Sequence, residues 1–249
     1  MSGRVELRAE GEGILVLSLE DAAEKNTFYP AFIEELQACL REISSDRQAR
    51  VCVMRGLPEV FCAGANLALL EELAGGDLAP SDIVLSRQML ELPIPTIAAM
   101  EGHAVGGGLA LALCCDVLLM ARESRYGCSF MNMGFTPGMG TTALLREAVG
   151  EYLAAEMMLG GQLFKGAHFE GRSRVNYVLP RAQVWPKALE VASRIAEKPR
   201  FALELLKREL TVGRKKLLDE ALPREAAMHQ LCFARPETAA RIREGYAPR

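Results

Sequence analysis

Through the first half of this 249-residue chain, short apolar runs of strand character alternate with stretches of helical periodicity. That alternation points to an α/β domain with a largely parallel sheet. Val5–Ala9 and Ile14–Leu19 read as an opening pair of strands around Gly11 and Gly13. Pro30 starts a helix that places Phe32, Leu36, Leu40 and Ile43 on one face. Arg50–Arg55, Thr96–Met100 and Val117–Ala121 read as short buried strands. Asn66–Leu73, Ser81–Leu92 and Gly106–Leu113 read as the helices between them, with Gly75-Gly76 breaking the first and Pro93 stopping the second. After Thr141 the pattern turns helical: Ala143–Val149, Tyr152–Leu159, Gln183–Ala196, Arg200–Leu210, Arg214–Phe233 and Glu237–Tyr246. The expected organisation is an α/β core over residues 1–196 and a helical region over 197–249.

Composition narrows the function classes. A net charge of −3 argues against a general nucleic-acid binder. Seven cysteines, an odd number, read as reduced thiols in a cytoplasmic protein rather than as a disulfide framework. No apolar run is long enough to span a membrane, and Met1–Glu12 has no apolar core of a signal peptide.

Two glycine-bearing turns each follow a strand and precede a helix: Phe61-Cys-Ala-Gly-Ala-Asn66 and Gly102-His-Ala-Val-Gly-Gly-Gly108. In a parallel sheet such turns face the same carboxyl edge, where ligands bind. Two converging backbone N–H groups there would suit an oxyanion hole for a thioester or acyl enolate; the plainer alternative is a pair of tight packing turns. Neither turn is a P-loop or a dinucleotide fingerprint. A third segment, Gly134-Phe-Thr-Pro-Gly-Met-Gly140, could wall an apolar pocket or simply be a loop. Cys114-Cys115 lack partners at metal-ligand spacing and read as core, and no GxSxG hydrolase motif occurs. Of the three histidines, His103 sits in a glycine turn and His168 in a surface turn. His229 lies among Met228, Leu231 and Phe233, where composition alone reads it as a core residue.

At these residues the chain resembles the crotonase, or enoyl-CoA hydratase/isomerase, superfamily. The two glycine turns, the strand Pro95–Met100, Cys115-Asp116 and Gly134–Gly140 follow that family's order over nearly the whole chain. The resemblance implies a spiral ββα core and a C-terminal helical region that builds trimers, sometimes hexamers. It also implies an oxyanion hole formed by the N–H groups of Ala65 and Gly107. The two glutamates of the family's hydratases fall on Ala110 and Phe130, neither of which can exchange a proton. A site that keeps the oxyanion hole and loses both acids suits decarboxylation, because departure of CO2 itself leaves the electrons of an enolate.

Within the superfamily the chain is most similar to the decarboxylases of polyketide β-branching. The matching segments are Arg122-Glu-Ser-Arg, Phe130–Gly140, Val178-Leu-Pro-Arg, Ala196-Glu-Lys-Pro-Arg200 and Met228-His229. That resemblance implies a 3-methylglutaconyl group carried on the phosphopantetheine of an acyl carrier protein, or on CoA, with no further cofactor and no metal. It implies a 3-methylcrotonyl or β,γ-isomeric product, His229 as a catalytic residue, and substrate contacts from Phe130, Met131, Pro137 and Gly138. The subfamily's catalytic lysine falls on Ala79, and no lysine occurs between Lys25 and Lys165; Arg87 is a substitute only by elimination. Lys207, Arg208, Arg214, Lys215 and Lys216 form a basic cluster that could dock an acidic carrier or be a solvated helix face. The other readings are an isomerase- or hydratase-like enzyme and a non-catalytic carrier-binding homologue.

Overall fold

The computed structural model describes residues 4–76 and 84–246. Strands β1 (Val5–Ala9) and β2 (Ile14–Leu19) form an antiparallel hairpin, and α1 (Pro30–Ser45) follows. The chain then repeats a unit made of a longer strand, a three-residue strand and a helical segment. The first unit is β3 (Val51–Arg55), β4 (Val60–Cys62) and α2 (Leu67–Gly75), trailed by α3 (Leu85–Glu91). The second is β5 (Thr96–Met100), β6 (His103–Val105) and α4 (Gly107–Leu113). The third is β7 (Val117–Ala121), β8 (Arg125–Gly127), a 3-10 turn at Phe130–Met133 and α5 (Thr141–Val149). Then come α6 (Glu151–Gly160), β9 (Leu163–Lys165), β10 (Tyr177–Leu179), α7 (Arg181–Ala196), α8 (Arg200–Phe233) and α9 (Pro236–Tyr246).

The five longer strands and the three-residue β10 build a six-stranded sheet in the order β1-β2-β3-β5-β7-β10, parallel from β2 onward. The other short ones build a second sheet, β4-β6-β8-β9, parallel up to β8. The chain therefore climbs in a spiral, one unit per turn, as the resemblance implies. The second sheet is absent from the sequence reading, because a three-residue strand is too short to display a period of two. Its strands are fixed by tertiary contacts. Within β8, for example, Tyr126 is buried, and its hydroxyl donates to Met100 O at 2.8 Å.

One face of the large sheet is covered by α7, whose Val184, Ala188, Ala192 and Ala196 pack on Val51, Val53, Ile97 and Leu119. Small residues at helical spacing let that helix approach the sheet closely. The main apolar core lies on the other side, between α1, the spiral helices and α8.

The C-terminal helices contain a correction. Arg200–Leu210 and Arg214–Phe233 are one continuous 34-residue helix, with Gly213 and Pro223 inside it. Glycine and proline cost helix stability, but tertiary anchors override them here. Lys207 Nζ lies 2.5 Å from Asp116 Oδ2, and Arg214 pairs with Asp116 Oδ1 and donates to Cys115 O at 2.7 Å. Two members of the expected basic cluster, Lys207 and Arg214, are thus spent on holding α8 to the start of β7. Only Arg208, Lys215 and Lys216 remain as unpaired surface cations of that group among the described residues.

Candidate active site

Two turns at the edge of the small sheet come together. After β4 the chain passes through Gly64 and Ala65 into α2, whose first turn is capped by Asn66 Oδ1 accepting from Leu69 N at 2.9 Å. After β6 it passes through Gly106 into α4. Gly106 sits at φ 55°, ψ −122°, which a residue with a Cβ does not reach without strain, and this reversal aims the next amide away from the sheet. The turns are adjacent: a Cβ built on Gly64 would stand 3.6 Å from Gly107 N.

Backbone pairing leaves two donors open. Phe28 N donates to Gly64 O at 2.7 Å and Phe28 O accepts from Asn66 N at 3.1 Å, so Ala65 turns its own amide group to the opposite side. Gly107 begins α4 and has no preceding helical carbonyl in reach. Among the described residues neither the Ala65 nor the Gly107 amide has a protein acceptor, and both residues line one pocket. The spiral therefore brings two unpartnered amides to one pocket.

That pocket has an empty volume of about 700 Å³, its open mouth included. Its walls are apolar: Phe28, Leu69, Leu70, Phe130, Phe135 and Phe233 dominate. Phe130, one of the two residues that the resemblance aligns with hydratase acids, presents a ring to the pocket, edge-on to Phe135 at 5.8 Å. Ala110 is fully buried inside α4 and is not on the pocket wall.

His229 enters from α8. Its Nε2 lies 2.8 Å from Thr136 O, and since a carbonyl only accepts, Nε2 is the donor. Its ring stands edge-on to Phe135 and tilted against Phe233. Gly138 makes room for it: a Cβ there would meet His229 Cε1 at 2.5 Å. Burial pushes the imidazole below its ordinary pKa, opposed by the Thr136 carbonyl, by the charge of Glu225 and by the Pro137 carbonyl. The neutral ring is thus favoured in the free site. One turn back on α8, the buried Glu225 accepts from Gly140 N at 2.7 Å, Thr142 N at 2.9 Å and Thr142 Oγ1 at 2.6 Å. The glycine-rich segment 134–140 is therefore a cradle that seats α8, and Gly138 also lines the pocket.

Other expected site residues are placed differently. Met131 is 39% exposed and lies off the pocket wall, because the 3-10 turn at 130–133 buries Phe130 and points its neighbour outward. The Pro137 side chain is also off the wall, and only its carbonyl bears on His229. Arg87 pairs with Asp219 at 2.7 Å, away from the pocket, so it is no substitute for a lysine there. Ala79 lies outside the described residues. His103 Nδ1 accepts from Arg125 N at 2.9 Å and ties β6 to β8, while His168 stacks on Phe164. Cys114 and Cys115 are buried, with burial pushing the Cys114 thiol up to about 12. No group of metal-ligating side chains forms among the described residues, and no helix among them is long and apolar enough to cross a membrane.

Two residues absent from the sequence reading belong to the site. Tyr246, at the end of α9, lines the pocket and donates its hydroxyl to Ala65 O, bracing the residue whose amide faces the pocket. Glu225 was visible only as a carboxylate four residues before His229, a spacing that puts both on one helix face.

Comparison with known proteins gives the family of this chain. The family model described as enoyl-CoA hydratase/isomerase matches residues 9–247. The bacillaene synthase decarboxylase PksI of Bacillus subtilis (strain 168) is 34% identical over 242 residues, covering 97% of each chain. The mitochondrial methylglutaconyl-CoA hydratase of Homo sapiens is 30% identical over 92% of this chain and 68% of its own. A solved structure from a dehydratase/decarboxylase enzyme couple involved in polyketide beta-branching superposes with a TM-score of 0.94 at 34% identity, covering 99% of this chain and 100% of its own.

Proposed function

The chain belongs to the enoyl-CoA hydratase/isomerase family, and from that premise we propose that it decarboxylates a 3-methylglutaconyl thioester carried by an acyl carrier protein in polyketide β-branching. The observation that carries the reading is the composition of the pocket. It has two unpartnered backbone donors for a thioester oxygen, a histidine on the same wall and the ring of Phe130, while Ala110 is buried in α4, so neither residue aligned with a hydratase acid can exchange a proton there. Similarity to PksI and to the β-branching enzyme couple supports the same reading.

The substrate is vinylogous, its carboxylate joined through a carbon–carbon double bond to the thioester. When the bond to the carboxylate breaks, the electron pair moves through the double bond onto the thioester oxygen, giving a dienolate. The amides of Ala65 and Gly107 meet that charge as it develops, one such donor being worth about 2.7–4 kcal/mol. His229 holds the departing carboxylate. The ring of Phe130 and its apolar neighbours exclude the water that a hydratase would activate. Phosphopantetheine or CoA enters only as the substrate's handle.

The test is mass spectrometry of 3-methylglutaconyl carrier protein incubated with the enzyme. Loss of the mass of CO2 is expected, together with almost no hydroxylated product from crotonyl thioester in heavy-oxygen water. Rapid hydration would overturn the reading in favour of a hydratase, and binding without turnover would favour a carrier-binding homologue. We also assign three copies to the working assembly. The number follows the family resemblance, and an exposed apolar stripe on α8, formed by Phe201, Leu205, Leu206, Leu210 and Val212, offers a face for contact between copies. Light scattering that reads a single chain would remove that assignment.

A further inference from the structure

The two nitrogens of His229 stand in opposite situations. The residue is 7% exposed. Nε2 is committed to Thr136 O and carries a hydrogen in every state. Nδ1 is buried and has no hydrogen-bond partner among the described residues. A neutral ring with its hydrogen on Nε2 offers Nδ1 as an acceptor only, and a carboxylate is likewise only an acceptor. The two cannot pair unless a proton comes between them.

Among the described residues no charged side chain stands ready to supply it. The segment 134–140 packed against the ring is uncharged. On α8 the nearest charge is Glu225, whose carboxylate is held by Gly140 and Thr142. On α9, Tyr246 lines the pocket with its hydroxyl on Ala65 O, and Arg241 packs against Gly134. On α2, Glu71 is paired with Arg243. No lysine lines the pocket among the described residues.

Resting on the decarboxylase reading above, we propose that His229 takes up one proton from solvent as the substrate's carboxylate binds, and that Nδ1 then gives this same proton to the carbon that carried the carboxylate. The step balances. A carboxylate anion and one solvent proton enter, and the imidazolium pairs with the carboxylate through Nδ1–H. The carbon–carbon bond breaks, its electrons pass to the thioester oxygen, and CO2 leaves. The electrons then return to form the new carbon–hydrogen bond with the Nδ1 proton, and the ring is neutral again. One group thus performs both the carboxylate binding and the protonation, and no lysine is needed. Burial, which favours the neutral ring before substrate arrives, makes the uptake accompany binding rather than precede it.

The probe is the pantetheine thioester of 3-methylglutarate, which lacks the double bond and so cannot form the dienolate. Its binding is followed by calorimetry in buffers of different ionisation enthalpy, near pH ~8. About one proton per site should be taken up, and none with the uncharged 3-methylbutyryl thioester. His229→Gln keeps a donor for Thr136 O but cannot be protonated, so the uptake should vanish at an unchanged melting temperature. In turnover, wild-type kcat/KM should fall about tenfold per pH unit above the histidine pKa, and the profile of the Gln variant should be flat. Carboxylate binding without uptake, uptake that survives in His229→Gln, or a flat wild-type profile would each overturn the proposal. Uptake without any release of CO2 from the true substrate would keep the proton switch and sink the decarboxylase reading instead.

Discussion

The two halves of the pocket are built by different means. One side consists of backbone: Ala65 and Gly107 present amides because the spiral's short strands and glycine turns leave them no acceptor among the described residues. The other side is one side chain, His229, delivered by a helix from the far end of the chain and seated in the segment 134–140. The first half is carried by the paired strands of the small sheet. The second depends on how well two distant segments fit, so it is where the reaction can be changed without remaking the fold.

Three substitutions break or sharpen this contrast. His229→Ala removes the side-chain half outright and should slow turnover by roughly 10²–10⁴-fold, with oligomer size and melting unchanged. Near-normal decarboxylation by the folded variant would take His229 out of the mechanism. Ala65→Pro deletes one backbone donor and should lower kcat by roughly 10²–10³-fold with a smaller effect on KM. A change confined to KM would mean that the amide binds substrate without favouring the dienolate. Gly138→Ala leaves every reacting group in place but puts a methyl where His229 Cε1 stands, 2.5 Å away. The ring must yield by about 1 Å, a displacement that can cost up to ~10²-fold. Combined with His229→Ala, the Gly138 change should cost nothing more, because it acts only through the ring. Additive losses would show that Gly138 serves the pocket in some other way.

What the sequence revealed follows the same division. The long strands β2, β5 and β7 and helix α1 were legible because each carries a local apolar pattern that survives into the structure. The two glycine turns were legible as turns because each lies between a strand and a helix. The strands β4, β6 and β8 were not, since three residues hold no period and their pairing comes entirely from neighbouring turns of the spiral. His229 was ambiguous for a related reason. Among apolar helix neighbours it looks like core, and in fact it is buried; what makes it special is a carbonyl 93 residues away. Met131 was misplaced because adjacency to Phe130 in sequence says nothing about which way a 3-10 turn points each side chain. The division of α8 at Gly213 failed because Asp116 supplies anchors that local propensity cannot register.

The length of α8 has a consequence for how the molecule is made. The helix is about 50 Å long, and it is fastened at mid-length to Asp116 and near its end to the segment 134–140. All of the strands, and both turns that offer amides, precede it in the chain. During synthesis the spiral can pair its neighbouring strands as they emerge, because those contacts close loops of modest length. The histidine half must wait until most of α8 has been translated and can reach back across nearly a hundred residues. A nascent chain can therefore pair the strands that carry both amide-bearing turns before it holds the histidine that shares their pocket.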